Sequence, residues 1–230
     1  MSESIEEIKL NENQPLLLRK IDQMKYDRDV VNLYFGKQNM SKKAKTLSQQ
    51  EIRRVLDHIS TRKHSVRNRA ILQTSFLSGM RVGEIASLRF KDVVDGEGNI
   101  KDQILLTADM TKGSESRIVF INEKLRKELQ AYINIYKPLS PDAKFFYSQK
   151  KTSDGFSANT LTQHFHYLYR RAGIDGASSH SGRRSFITSI ASKGVSVRVL
   201  MSLAGHKHLG TTQKYIDVND DLLRSAVELV

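Results

Sequence analysis

Residues 103–121 read QILLTADMTKGSESRIVFI, and the reading of this stretch decides the fold class. QILLTAD and SRIVFI are short apolar runs of β type, and between them lies TKGSES, a turn-rich segment carrying Gly113. A second turn-rich segment, DGEGN at 95–99, precedes them. Two such runs joined by a glycine-bearing turn predict a small antiparallel hairpin. On both sides of residues 91–122 the apolar pattern returns to a helical period, so the expected fold is mainly α with a small antiparallel β-sheet.

Upstream, TLSQQEIRRVL at 46–56 opens a helix. Ser48 and Glu51 form a capping box ahead of Ile52, Val55, Leu56 and Ile59. SVRNRAILQTSFLSG predicts a second helix ending at Gly79 in a left-handed cap, and RVGEIASL starts a third at once, which puts Arg81 on a tight helix junction. Downstream, EKLRKELQAYINIY stops near Pro138 and Pro141, SANTLTQHFHYLYRRAG resumes the helical period, and further helices run to Val230. Before Thr46 the chain reads as an acidic tail (Glu3, Glu6, Glu7, Glu12), a short helix over Pro15–Phe35 with Leu17, Ile21, Met24 and Val31 along one side, and a basic linker GKQNMSKKAK. The expected organisation is therefore 1–45 as this appendage and 46–230 as one principal domain.

Among the 230 residues, Lys and Arg number 37 against 25 Asp and Glu, a net charge of +12. That balance draws a protein towards polyanions, nucleic acid first among them, although charge that only maintains solubility reads the same way. The chain contains no cysteine, which excludes disulfides, zinc-thiolate sites and cysteine nucleophiles. No apolar run approaches the roughly 20 residues of a membrane span, and the polar, acidic start MSESIEEIKLNENQ does not read as a signal peptide. The expected location is cytoplasmic, with no membrane partner.

The informative residues gather in the last third. SSHSGRRSF supplies His180 and Arg183 as His-x-x-Arg, and LAGHKHLGTTQKYIDV places His206 ahead of Tyr215. A single tyrosine on a basic helix is usually a packing residue and a single histidine usually structural, so only the combination carries weight. His164, His166 and His208 invite a metal reading, but i,i+2 spacing on a helix sends two side chains in different directions and no carboxylate cluster accompanies them. No metal or cofactor is expected.

The combination resembles the tyrosine recombinase (phage integrase) family, whose pattern runs G-x-R-x-x-E, a lysine on a β-hairpin, His-x-x-Arg, L-G-H and a later tyrosine. GMRVGEI offers Arg81, TKGSESR offers Lys112, HSGR offers His180 and Arg183, AGH offers His206 and TTQKY offers Tyr215, all in family order across 46–230. The resemblance implies the DNA breaking-rejoining fold of a tyrosine-recombinase catalytic domain. It also implies a site-specific recombinase acting in integration, excision or inversion through a 3′-phosphotyrosyl intermediate. In that scheme Tyr215 attacks the phosphate, and Arg81 and Arg183 present planar forks to its oxygens. His180 and His206 add hydrogen bonds, and Lys112 protonates the departing 5′ oxygen. Glu84, one turn beyond Arg81, is read as fixing that arginine, with a surface carboxylate the plainer alternative.

The implied partners are double-stranded DNA with specific recombination sites and three further copies of the chain. The copies would form a homo-tetramer exchanging C-terminal segments through Leu222, Leu223, Ala226, Val227 and Val230; the same segment could equally fold back on its own domain. The chain departs from the family pattern at four positions. Gly182 stands for a packing leucine, Arg184 for a histidine, Ala204 for the leucine of L-G-H and Asp217 for a common histidine. Gly182 is expected to loosen its helix. Residues 1–45 are too few for a typical DNA-clamping domain, as in compact family members that invert short DNA segments, or as in a fragment of a longer recombinase. A catalytically weak DNA-binding regulatory protein of the same fold is the alternative function. A type IB topoisomerase is a third, less suited to the compact length.

Overall fold

The structure, a computed structural model, describes residues 44–111, 114–138, 140–149, 154–216, 223–224 and 227–228. These lie in one compact unit, Lys43–Val230. The expectations for the acidic tail, the first helix and most of the basic linker fall on residues 1–43, outside the described residues, as do Lys112 and much of the C-terminal segment.

Helix α1 (Gln49–Ser60) starts where the capping box predicted: the Ser48 hydroxyl accepts from Glu51 N–H at 3.2 Å, and Glu51 Oε2 accepts from Ser48 N–H at 3.0 Å. Helix α2 (Ser65–Ser78) is the centre of the unit. From Ala70 to Phe76 it is buried around its whole circumference, polar and apolar residues alike, because α1, α5 (Glu123–Ile135) and α7 (Ser181–Ala191) all pack on it. A helix wrapped in this way has no polar face to keep wet. Its polar residues are satisfied locally where they can be, Thr74 Oγ1 donating to Ala70 O and Ser78 Oγ to Thr74 O.

Gly79 ends α2 at φ +63°, and a Cβ there would lie 2.4 Å from Phe186 Cδ1. Both the left-handed backbone and the close approach require glycine. The chain turns through Arg81 into α3 (Val82–Ser87) and the single-turn α4 (Phe90–Val93), which the helical period alone did not announce.

The hairpin forms as expected. Strand β1 (Gln103–Leu106) pairs antiparallel with β2 (Arg117–Phe120), with Gln103 opposite Phe120, Ile104 opposite Val119, Leu105 opposite Ile118 and Leu106 opposite Arg117. The strands are shorter than the apolar runs, because Ala108–Met110 closes into a 3-10 turn. Ile104, Leu106 and Val119 face the core, whereas Leu105, Ile118 and Phe120 are exposed.

Helix α6 (Ala158–Arg171) packs on α3 and α1, and α8 (Val197–Ala204) and the short α9 (Leu209–Gln213) pack on one another beside α7. The main core runs from Leu47 to Ala177. A separate small cluster, Ile187, Ala191, Leu200 and Ala204, supports Phe186, Ile190, Tyr215 and Ile216.

Candidate active site

The end of α8 is the point at which the predicted side chains meet. Gly205 caps that helix in the left-handed region at φ 58° and ψ 48°, and His206 follows it. Arg183, buried in α7, donates from Nη2 to Ala204 O and from Nη1 to Gly79 O at 2.7 Å. Arg81 donates from Nη2 to the next carbonyl, Gly205 O, at 3.1 Å. Two guanidiniums from opposite ends of the sequence thus grip consecutive carbonyls of one helix terminus, where the unsatisfied C=O groups attract cations.

Arg81 itself is held by Glu84. Its backbone N–H donates to Glu84 Oε2 at 2.7 Å, and its Nη1 pairs with Glu84 Oε1 at 2.8 Å. The carboxylate is 1% exposed and also takes Arg117 Nη2 at 2.7 Å. Burial by itself would push the Glu84 carboxyl up; the Arg117 pairing, helped by Arg81, outweighs it and holds the group below its ordinary value. One carboxylate therefore faces Arg81 and Arg117 directly, with Arg183 close by.

The site keeps an excess of buried positive charge. Burial, then repulsion from Arg81, lowers Arg183 to about 10, which leaves it charged near neutrality. His206 is pushed down to about 4 by burial and by Arg183, Arg81 and Arg117, so its ring is neutral near pH 7. Its Nδ1 meets Thr212 Oγ1 at 3.0 Å, which fixes the ring orientation. An anion is the complement such a site lacks.

Tyr215 lies just past α9, half-buried against the small C-terminal cluster. Its ring stacks with His206, centroids 6.1 Å apart and planes at 23°, and the Arg184 guanidinium stands 5.4 Å from the ring centroid. Arg184 also donates from Nε to Thr46 Oγ1 at 3.1 Å, so the position at which this chain departs from the family histidine touches both the tyrosine and the start of the domain. The Tyr215 hydroxyl has no hydrogen-bond partner among the described residues.

His180 precedes α7 and is exposed, its backbone N–H bonded to Ser178 Oγ at 3.3 Å. The structure thus brings together Arg81, Arg183, His206 and Tyr215, leaves His180 at the mouth of its helix, and does not describe Lys112. Gly182, expected to loosen α7, instead makes a close contact: a Cβ there would fall 2.1 Å from Ser75 Oγ and 2.8 Å from Ser75 Cβ. Neither a leucine nor an alanine fits against this face of α2 as it stands.

Sequence reasoning missed Arg117. Period-two alternation puts it on the inward face of β2 with Val119, opposite Leu106, and a charged residue at an inward strand position is itself the signal. His164, considered for a metal, instead meets Asn68 Oδ1 at 3.2 Å, while His166 is exposed. Among the described residues no group of His, Asp or Glu is arranged to hold a metal ion, and no helix is long and apolar enough to cross a membrane.

The family model described as "Phage integrase family" matches residues 45–221. Tyrosine recombinase XerA of Pyrococcus furiosus is 30% identical over 184 residues, covering 80% of this chain and 61% of that protein. Tyrosine recombinase XerD of Neisseria meningitidis is 31% identical over 189 residues, covering 79% and 61%. The chain thus spans less than two thirds of these relatives. A crystal structure of XerA recombinase superimposes with a TM-score of 0.63 at 28% identity, covering 86% of this chain and 68% of the other.

Proposed function

We propose that this chain, which belongs to the phage integrase family, breaks and rejoins DNA at specific sites by transesterification on Tyr215. The observation that carries this reading is the pair of guanidiniums, Arg81 and Arg183, on consecutive carbonyls beside a tyrosine stacked on His206. A phosphodiester is a poor electrophile because its oxygens repel a nucleophile, and charge grows on the nonbridging oxygens in the transition state. Fixed arginines answer that need without reorganising.

In the proposed reaction the Tyr215 oxygen bonds to phosphorus and the bond to the 5′ oxygen breaks. The tyrosine proton passes to a base, His180 being the nearest in sequence to Arg183, and the leaving 5′ oxygen takes a proton from Lys112. The product is a 3′-phosphotyrosyl enzyme and a free 5′ hydroxyl. Attack by a 5′ hydroxyl from a second strand reverses both steps, so no nucleotide cofactor is required.

The working assembly is proposed to be a homo-tetramer on two DNA sites, in the cytoplasm, with C-terminal segments exchanged between copies. Leu223 and Val227, 55% and 73% exposed, are apolar side chains in need of such a partner.

Trapping on nicked suicide DNA from the flanks of the coding gene tests the reading. Wild type should give a covalent band on denaturing gels, and Tyr215→Phe none, with DNA binding nearly unchanged. Tight, site-specific binding by wild type without any covalent product would favour the regulatory alternative.

A further inference from the structure

Arg117 is a largely buried charge beside the site that the proposed reaction does not use. Its side chain is 10% exposed, and it lies on the inward face of the hairpin, opposite Leu106. Nη2 pairs with Glu84, Nη1 donates to Leu203 O at 3.1 Å, and Nε is buried with no partner among the described residues. A Cβ on Gly205 would lie 2.5 Å from Arg117 Cδ, so the turn before His206 rests on the arginine stem. A second tie runs alongside, Lys207 Nζ to Glu115 Oε1 at 2.7 Å.

Taken together, these contacts join three parts of the site that are far apart in sequence. Through Glu84, Arg117 reaches Arg81; through Leu203 O and Gly205, it reaches the turn that presents His206; and it is itself part of β2 of the hairpin. Leucine or methionine would fill the inward position at less desolvation cost, so packing does not account for an arginine here.

We propose that Arg117 is a positioning residue for strand cleavage, fixing the β-hairpin, the Arg81–Glu84 pair and the Gly205–His206 turn in one register. This rests on the recombinase reading given above. It acts through its neighbours and touches no substrate. A displacement of about 1 Å at the reacting centre costs on the order of a hundredfold in rate, which sets the scale of the effect.

Two measurements on the full chain test it. The first needs no DNA activity: hydrogen exchange at the amides of Gly205, His206 and Lys207, with the imidazole NMR signals of His206. In Arg117→Gln these amides should exchange about tenfold faster or more while α1 and α5 keep their protection. Glu84 retains Arg81 in this variant, so its carboxylate is not orphaned. Arg117→Lys, which keeps the charge but not the fork, should fall between the two.

The second is single-turnover covalent complex formation. Arg117→Gln should lose on the order of a hundredfold in cleavage rate with DNA affinity changed less than about threefold, and Arg117→Lys should recover part of the rate. Unchanged exchange at Gly205–Lys207 would overturn the proposal, as would a rate loss matched by an equal loss of affinity. If Arg117→Gln melts globally, Arg117→Lys alone decides: wild-type exchange and rate would overturn the role. Should wild type itself form no covalent complex, the recombinase reading fails, whereas the exchange measurement still judges whether Arg117 holds the turn.

Discussion

Gly182 of α7 and Ser75 of α2 lie so close that there is no room for a β-carbon between them. The contact sets how near α7, which carries Arg183, can come to the central helix. Gly182→Ala gains about 1 kcal/mol of helix propensity but overpacks the contact at a cost of about 1 to 3 kcal/mol, for a net loss of up to about 2 kcal/mol in urea denaturation. Pairing it with Ser75→Gly should restore much of the loss. A single Gly182→Ala variant more stable than wild type would show that the helices separate freely.

Arg183 has two duties, and substitution should separate them. Arg183→Ala removes the donor to two carbonyls, Gly79 O and Ala204 O, costing about 1 to 3 kcal/mol of stability for each buried acceptor left unpaired. It should also slow cleavage by about two to three orders of magnitude, since one transition-state donor is worth about 3 to 4 kcal/mol. A twofold effect on single-turnover cleavage would remove Arg183 from the site.

On the proposed function, His206 should make DNA binding a proton-linked event. Its pKa is lowered to about 4 in the free protein, so the ring is neutral near pH 7. A phosphate placed among the same arginines offsets their repulsion and raises that pKa, so the complex holds more protons than the free protein. Binding must then take up protons, and affinity must increase as pH falls from the pKa of the complex towards about 4. Calorimetry near about pH 6 in two buffers of different ionisation enthalpy should show net uptake, lost in His206→Gln.

Glu84 predicts the acid limb of stability. Its folded pKa lies below the ordinary 4.5, so the unfolded chain binds the proton more readily. The stabilisation is present above 4.5 and is lost as pH falls through the lower folded value. Glu84→Gln should flatten this limb in pH-dependent melts while lowering stability at neutral pH by about 3 to 5 kcal/mol, because two arginines lose a buried partner. An acid limb as steep as that of wild type would place the responsible carboxylate elsewhere.

The sequence announced most of what local chemistry controls. Ser48 and Glu51 declared the start of α1, Gly79 the cap of α2, and the runs around TKGSES the hairpin, because caps and turns are decided within a few residues. The motif residues were legible by order and type, and Arg81 at a helix junction by the Gly79 cap. The sequence did not show what depends on distant partners. Helix α2 has no apolar stripe, so its central place is invisible until three helices are seen around it. Gly182 looked like a weakness because Ser75 is more than a hundred residues away in the chain. Arg117 was passed over because its three contacts come from α3 and the end of α8.

The proposed nucleophile and Arg81 rest on different foundations. Arg81 stands between Met80 and Ile85 of the main core, whereas Tyr215 leans on the four side chains Ile187, Ala191, Leu200 and Ala204. So small a cluster opens at a fraction of the free energy needed to unfold the whole. The segment bearing the tyrosine can therefore open while the helices around Arg81 stay folded, and in the proposed tetramer a neighbour that clasps or releases it would arm or disarm one site without remodelling the rest.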